Sequence, residues 1–144
     1  MKKSVFRIGM AVILCALFVL LLAGCWENRM RVYYAETSNY ITVEGTVASI
    51  SVNEETGAVY INFSETTPVL DDKCFKIVGQ NAVLALSRDI AARIAPGCQV
   101  EFITAPRYFG DGYVIPIVGL SVNGETILEF EEGFANLQQW LKRR

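Results

Sequence analysis

The sequence predicts a mainly β domain: a small barrel with a helix between strands three and four, then an added C-terminal hairpin and short helix. Three observations predict it. Alternating apolar and polar residues recur between turn signals from Tyr40 onward. The first of these runs, Tyr40 to Val52, is long and changes phase midway. One helical period, Val83 to Ile94, interrupts the strands, which then resume.

The segment ahead of this domain has a different character. Lys2, Lys3 and Arg7 open the chain, and almost every residue from Ile8 to Ala23 is apolar. A charged start, an apolar run and small residues at its end describe a secretory signal peptide. The run falls short of the roughly 20 residues of a comfortable membrane-spanning helix. Leu22-Ala23-Gly24-Cys25 follows, and all four positions match the lipobox that the start of this chain resembles. The resemblance to bacterial lipoproteins covers residues 1–25. It implies cleavage before Cys25 and attachment of a diacylglycerol to the Cys25 thiol. A plainer reading makes Cys25 the end of an uncleaved N-terminal anchor. Either reading places the remaining chain outside the cytoplasm, held to a bacterial cell membrane. Two acyl chains suffice for stable anchoring without a spanning helix. The expected organisation is a signal over 1–24, the lipidated cysteine and a tether over 25–39, and one domain over 40–144.

Residues 26–39 show no clean period. Trp26, Tyr33 and Tyr34 suit either a membrane interface or docking onto the domain. In the first strand Ile41, Val43 and Val47 share one parity, whereas Ile50 and Val52 share the other. A slip of this kind near Ala48-Ser49 predicts a bulge, and Gly45 beside it lets the strand bend. Asn53 to Gly57 is a turn. In the second strand Val59, Ile61 and Phe63 face inward, with Tyr60 and Asn62 outward. Pro68 and Asp71-Asp72 mark a loop, and Phe75 and Ile77 face inward from a short third strand.

Val83, Leu86, Ile90 and Ile94 then recur at helical spacing, with Asn81 as a cap and Arg88 and Arg93 pointing away. Ala95-Pro96-Gly97 ends the helix. Val100 and Phe102 are the inward residues of the fourth strand. Pro116 predicts an edge or a bulge in the apolar strand "YVIPIVGLSV". Asn123-Gly124 predicts a type I′ hairpin. Phe134, Leu137 and Leu141 form the apolar side of a last helix, with Trp140 beside it. Glu131-Glu132 sit at its start, where the helix dipole favours them.

A long bent first strand and a helix between strands three and four predict a small OB-like Greek-key barrel. "VEGTVASISVNEETGAVYINFSE", "CFKI" and "IAPGCQVEF" also resemble the bacterial OB-fold families called tRNA-anticodon-binding-like, over roughly residues 41–104. That name does not imply nucleic-acid binding here. Removing residues 1–24 leaves ten basic against fifteen acidic residues, a net charge of −5. An acidic domain is a poor match for phosphate backbones, and Glu54 and Glu55 on the first hairpin would repel them.

The chain has no histidine. This removes the commonest general base at neutral pH and the usual Ser-His and Cys-His pairs. Asp71-Asp72 lacks the surrounding pattern of a calcium loop. No metal, no cofactor and no catalytic residue is therefore expected. Cys74 and Cys98 remain once Cys15 leaves with the signal and Cys25 is used for lipid; they form a disulfide or stay as two buried thiols.

OB barrels bind on the strand-two and strand-three face and in the flanking loops. That face would carry Tyr60, Asn62 and Lys76, joined by Arg107, Tyr108 and Phe109 from the loop after strand four. These groups can stack on and hydrogen-bond a sugar or a peptide; the blander reading is a solvated face and one packed loop. The expected function is a non-catalytic binding module for a cell-envelope protein or glycan. The alternative is an accessory subunit whose strand "YVIPIVGLSV" joins a partner's sheet by edge addition.

Overall fold

The computed structural model describes residues 2–64, 69–70, 75–107, 109 and 115–143, with the backbone alone for residues 2–9, 11, 20–23 and 25–27. The chain divides into two compact units, Met1–Tyr33 and Tyr34–Arg144.

The first unit is built from the helix α1, Lys2–Ala35. Val12, Ile13, Leu14, Leu17, Phe18 and Val19 are each more than half exposed. Successive residues of a helix are about 100° apart, so these side chains surround α1 rather than form one stripe. Among the described residues, no helix is long and apolar enough to cross a membrane. The segment expected to be an irregular tether is helical as far as Ala35. A 3₁₀ turn follows at Thr37–Asn39, where the Glu36 carboxylate accepts from the Ser38 hydroxyl at 3.2 Å.

The second unit is a five-stranded β-barrel with one extra strand and several helices. Its elements are β1 Ile41–Val52, β2 Val59–Phe63, β3 Phe75–Ile77, α2 Gln80–Ser87, α3 Ile90–Arg93, β4 Gln99–Thr104, β5 Ile115–Val122, β6 Glu125–Leu128 and α4 Phe130–Lys142. Ile41 to Thr46 pair with β4, and Val47 to Val52 pair with β2, so one strand serves both walls. The register shifts between Val47 and Ser49, where the sequence changes phase. β3 pairs antiparallel with β2 and parallel with β5, which closes the cylinder in the order β1-β2-β3-β5-β4.

The turn between β1 and β2 is held by the Asn53 side chain, which accepts from the backbone N–H of Glu55 and Thr56. Phe63, Phe75 and Phe102 meet inside the barrel. Phe63 stacks on Phe102 with 4.8 Å between centroids, and Phe75 stands edge-on to both. Ile61, Ile77, Ile115 and Ile117 fill the same core, against Ala82, Ala85, Ile90 and Ile94 of the helical segment.

The helical segment departs from the expected single helix. Asp89 has a left-handed backbone (φ 56°) that separates α2 from α3 and resets the period. The buried residues of α2 are consequently Asn81, Ala82 and Ala85, while Val83 is 57% exposed. Gly79 rather than Asn81 occupies the cap position. Asn81 instead donates to the Gly133 carbonyl at 2.8 Å and accepts from Asn136 at 3.0 Å. Arg88 does not point away: it donates to the Ile127 carbonyl on β6 and pairs with Glu132 of α4.

Of the edge or bulge expected at Pro116, the structure shows an irregularity beside it, where β5 carries the extra residue Val118 between the partners of Ile103 and Thr104. Among the described residues β5 pairs with β4 along one side, and with β3 and then β6 along the other. The Thr104 hydroxyl donates to the Pro116 carbonyl at 2.7 Å. Asn123 and Gly124 both have positive φ, as the type I′ turn into β6 requires. α4 places Leu137 and Leu141 in the interior, with Phe134 and Trp140 half-buried beside them.

Candidate functional site

Burial of Val59 and Ile61 turns Tyr60 and Asn62 to the outer face, because successive strand residues point to opposite sides. Register then decides their neighbours. Tyr60 lies opposite Ser51 on β1 and Lys76 on β3, and Asn62 lies opposite Ser49. The Lys76 ammonium sits 4.5 Å from the centre of the Tyr60 ring, a cation–π contact. The Asn62 amide donates to the Ser49 hydroxyl at 2.9 Å. Tyr60 and Lys76 are half-buried and Asn62 is exposed. The patch combines one aromatic ring, one cation, one amide and two hydroxyls. It can hydrogen-bond to hydroxyl or peptide groups and offers one flat apolar surface for stacking.

Arg107 and Phe109 belong to a second group. The loop that bears them leaves β4 beside the start of β1, where Thr104 lies opposite Ile41. Tyr60 pairs ten residues further along β1. Phe109 is only 5% exposed and stands edge-on to the Tyr34 ring at 5.6 Å. It is a packing residue, not the exposed loop aromatic that its position in the sequence suggests. The exposed Arg107 guanidinium lies 5.0 Å from the Phe109 ring, and its backbone carbonyl accepts from the Tyr34 hydroxyl at 3.0 Å.

Of the two readings expected for Tyr34, the structure shows docking onto the domain. The residue is fully buried, and its own carbonyl accepts from Gln138 at 2.7 Å and from the Tyr40 hydroxyl at 2.9 Å. Tyr40 in turn stands edge-on to Phe130 and Phe134 of α4. Docking onto the domain, rather than a membrane interface, is therefore what Tyr34 does. The sequence does not say where it docks: apart from Tyr40, six residues on, the partners Arg107, Phe109 and Gln138 lie about 70 to 100 residues away.

Cys98 is half-buried, and its thiol donates to the Gln99 carbonyl. Its expected partner Cys74 lies outside the described residues, as do Tyr108, Pro68 and Asp71-Asp72; the side chains of Cys25 and Trp26 do too.

A polar groove of about 500 Å³ opens on the outer face of the other wall. Glu44, Glu101, Ser121 and Thr126 cross it as one row, each opposite the next through β1, β4, β5 and β6. Only the register brings these four together, so the sequence does not announce the row.

No family model, no curated protein and no solved structure matches the chain.

Proposed function

We propose that this chain is a lipid-anchored, extracytoplasmic lipoprotein whose OB-like Greek-key domain binds a cell-envelope protein or glycan without catalysing a reaction. The observation that carries the binding reading is the Tyr60–Lys76–Asn62 patch on the outer face of β2 and β3. OB barrels use that face for ligands. The OB-like assignment is supported by the closed order β1-β2-β3-β5-β4, by the parallel β3–β5 contact, and by helices placed between β3 and β4. The anchoring reading is supported by the lipobox at Leu22 to Cys25 and by the apolar residues that surround α1. The absence of histidine from the whole sequence supports a non-catalytic role.

The test is recovery of partners from solubilised membranes with the full-length protein and with Tyr60→Ala. Tyr60 lies outside the core, so its loss leaves no internal cavity. A stacking residue of this kind is expected to contribute roughly 1–2 kcal/mol to binding. The partner, protein or glycan, should therefore be recovered about tenfold less well with Tyr60→Ala, at an unchanged unfolding midpoint. Equal recovery removes this face from the reading. Mass spectrometry of the N-terminal peptide in the same sample reads the anchor: Cys25 still joined to Gly24 and unmodified would sink it.

A further inference from the structure

The domain is acidic as a whole, but its charge is not evenly placed. α4 begins with Glu129 at its cap and Glu131 and Glu132 in its first turn, and it ends with Lys142 and Arg143. About 20 Å of helix separates the two groups. Arg88 and Arg93 face carboxylates, Glu132 and Glu125, and Lys76 lies over Tyr60. The exposed cations Lys142 and Arg143 close the last helix; Arg107, exposed on the loop held by Tyr34, lies over the Phe109 ring and has partners of its own.

The direction of the chain links these cations to the anchor. Tyr40 packs against Phe130 and Phe134, and Tyr34 accepts from Gln138. From Tyr40 back to Tyr34 the chain thus follows α4 from its first turns toward its end. The domain begins where α4 finishes. Lys142 lies one turn beyond Gln138 on the same side of the helix, and Arg107 meets the other end of the Tyr34 side chain. Nine residue steps separate Cys25 from Tyr34. They span about 13 Å as a helix and about 30 Å even when fully extended. Because Tyr34 is clamped by three hydrogen bonds and a ring contact, the domain has no further slack at that point.

We propose that the end of the domain marked by Tyr34 is a membrane-facing surface, on which Arg107, Lys142 and Arg143 engage anionic lipid headgroups. The occupant follows from two observations. The short tether holds this end within reach of the bilayer, and its cations complement an anionic leaflet while the acidic start of α4 is turned away. Basic residues near such a surface are each attracted to it over about one Debye length. The proposal rests on the reading that residues up to Cys25 hold the chain at a membrane.

The test uses the full lipidated protein in vesicles, with a photoreactive benzophenone side chain placed at Gln139 or at Glu131. Both positions are exposed, one near each end of α4. In phosphatidylcholine vesicles containing about 30% phosphatidylglycerol, lipid adducts at position 139 should exceed those at 131 about threefold or more. The excess should vanish in pure phosphatidylcholine, at about 0.5 M salt, and in the R107Q/K142Q/R143Q variant. Salt acts on the unmodified domain, so a folding defect in the variant cannot imitate the result. Equal adducts at both positions overturn the proposal. So does an excess that survives salt and neutral lipid, which would mean that tether geometry or a second copy sets the orientation. The N-terminal mass separates the two readings: an unmodified Cys25 removes the lipid anchor, yet an uncleaved α1 still lets the orientation be read. A chain that leaves the vesicles altogether overturns both.

Discussion

A Cβ atom on Gly133 would stand 1.8 Å from the Val118 carbonyl oxygen, far inside van der Waals contact. The atom it meets is backbone in the middle of β5, which cannot swing aside as a side chain would. α4 lies directly on the barrel at this point, and the Gly133 carbonyl is also where Asn81 donates. Gly133→Ala should therefore push α4 outward, strain that hydrogen bond and cost about 3 kcal/mol. Denaturant melts of Gly133→Ala beside those of Ala135→Ser, an exposed neighbour, measure it; equal midpoints would show that the helix yields freely. Little of this is legible at the level of residues. Asn81 reads as a helix cap because asparagine is common there, and only the approach of α4, over fifty residues later, buries it instead.

Elements were more legible where local rules decide them. The parity change in β1 located its bulge, and Asn123-Gly124 located the last hairpin, because register and turn type depend on adjacent residues. The helical segment departs from its sequence period for the same reason: one left-handed residue, Asp89, is enough to rotate the buried face from Val83 to Ala82 and Ala85. Small residues there let α2 approach the barrel. β1 illustrates how an element can depend on one missing side chain. The Phe63 ring lies over Gly45, where a Cβ would fall 2.6 Å from its Cδ1 atom. Phe63 is also stacked on Phe102, so it can retreat only by breaking the aromatic cluster. Gly45→Val should cost on the order of 2–3 kcal/mol. Thermal or urea unfolding with no loss would mean that the ring moves aside without cost. The sequence marks Gly45 as a bending point, and the close approach of the β2 ring of Phe63 gives the position a second reason for glycine.

The whole molecule is where sequence reasoning reached least far. The six expected binding residues divide into the Tyr60 face and the Tyr34-bound loop, with Tyr108 undescribed, because no local pattern says which strand ends meet. Barrel closure has the same origin. Among the described residues, the parallel contact between β3 and β5 consists of Phe75 opposite Ile115 and Lys76 opposite Pro116. It joins positions forty residues apart, and Pro116 has no N–H to contribute. Loop closure of that length must precede any gain from the contact. The barrel wall is therefore uneven: a broad β4 side and one narrow clasp. Such a clasp forms late when the chain folds and releases first when it breathes. In native-state hydrogen exchange, amides at Phe75–Ile77 and Ile115 should exchange well ahead of those at Glu101–Ile103, by openings smaller than global unfolding. Equal protection would mean that the cylinder opens only as a unit. If the clasp does release alone, the face that bears Lys76 loosens with it, and the ring of Tyr60 is uncovered before the rest of the domain has moved.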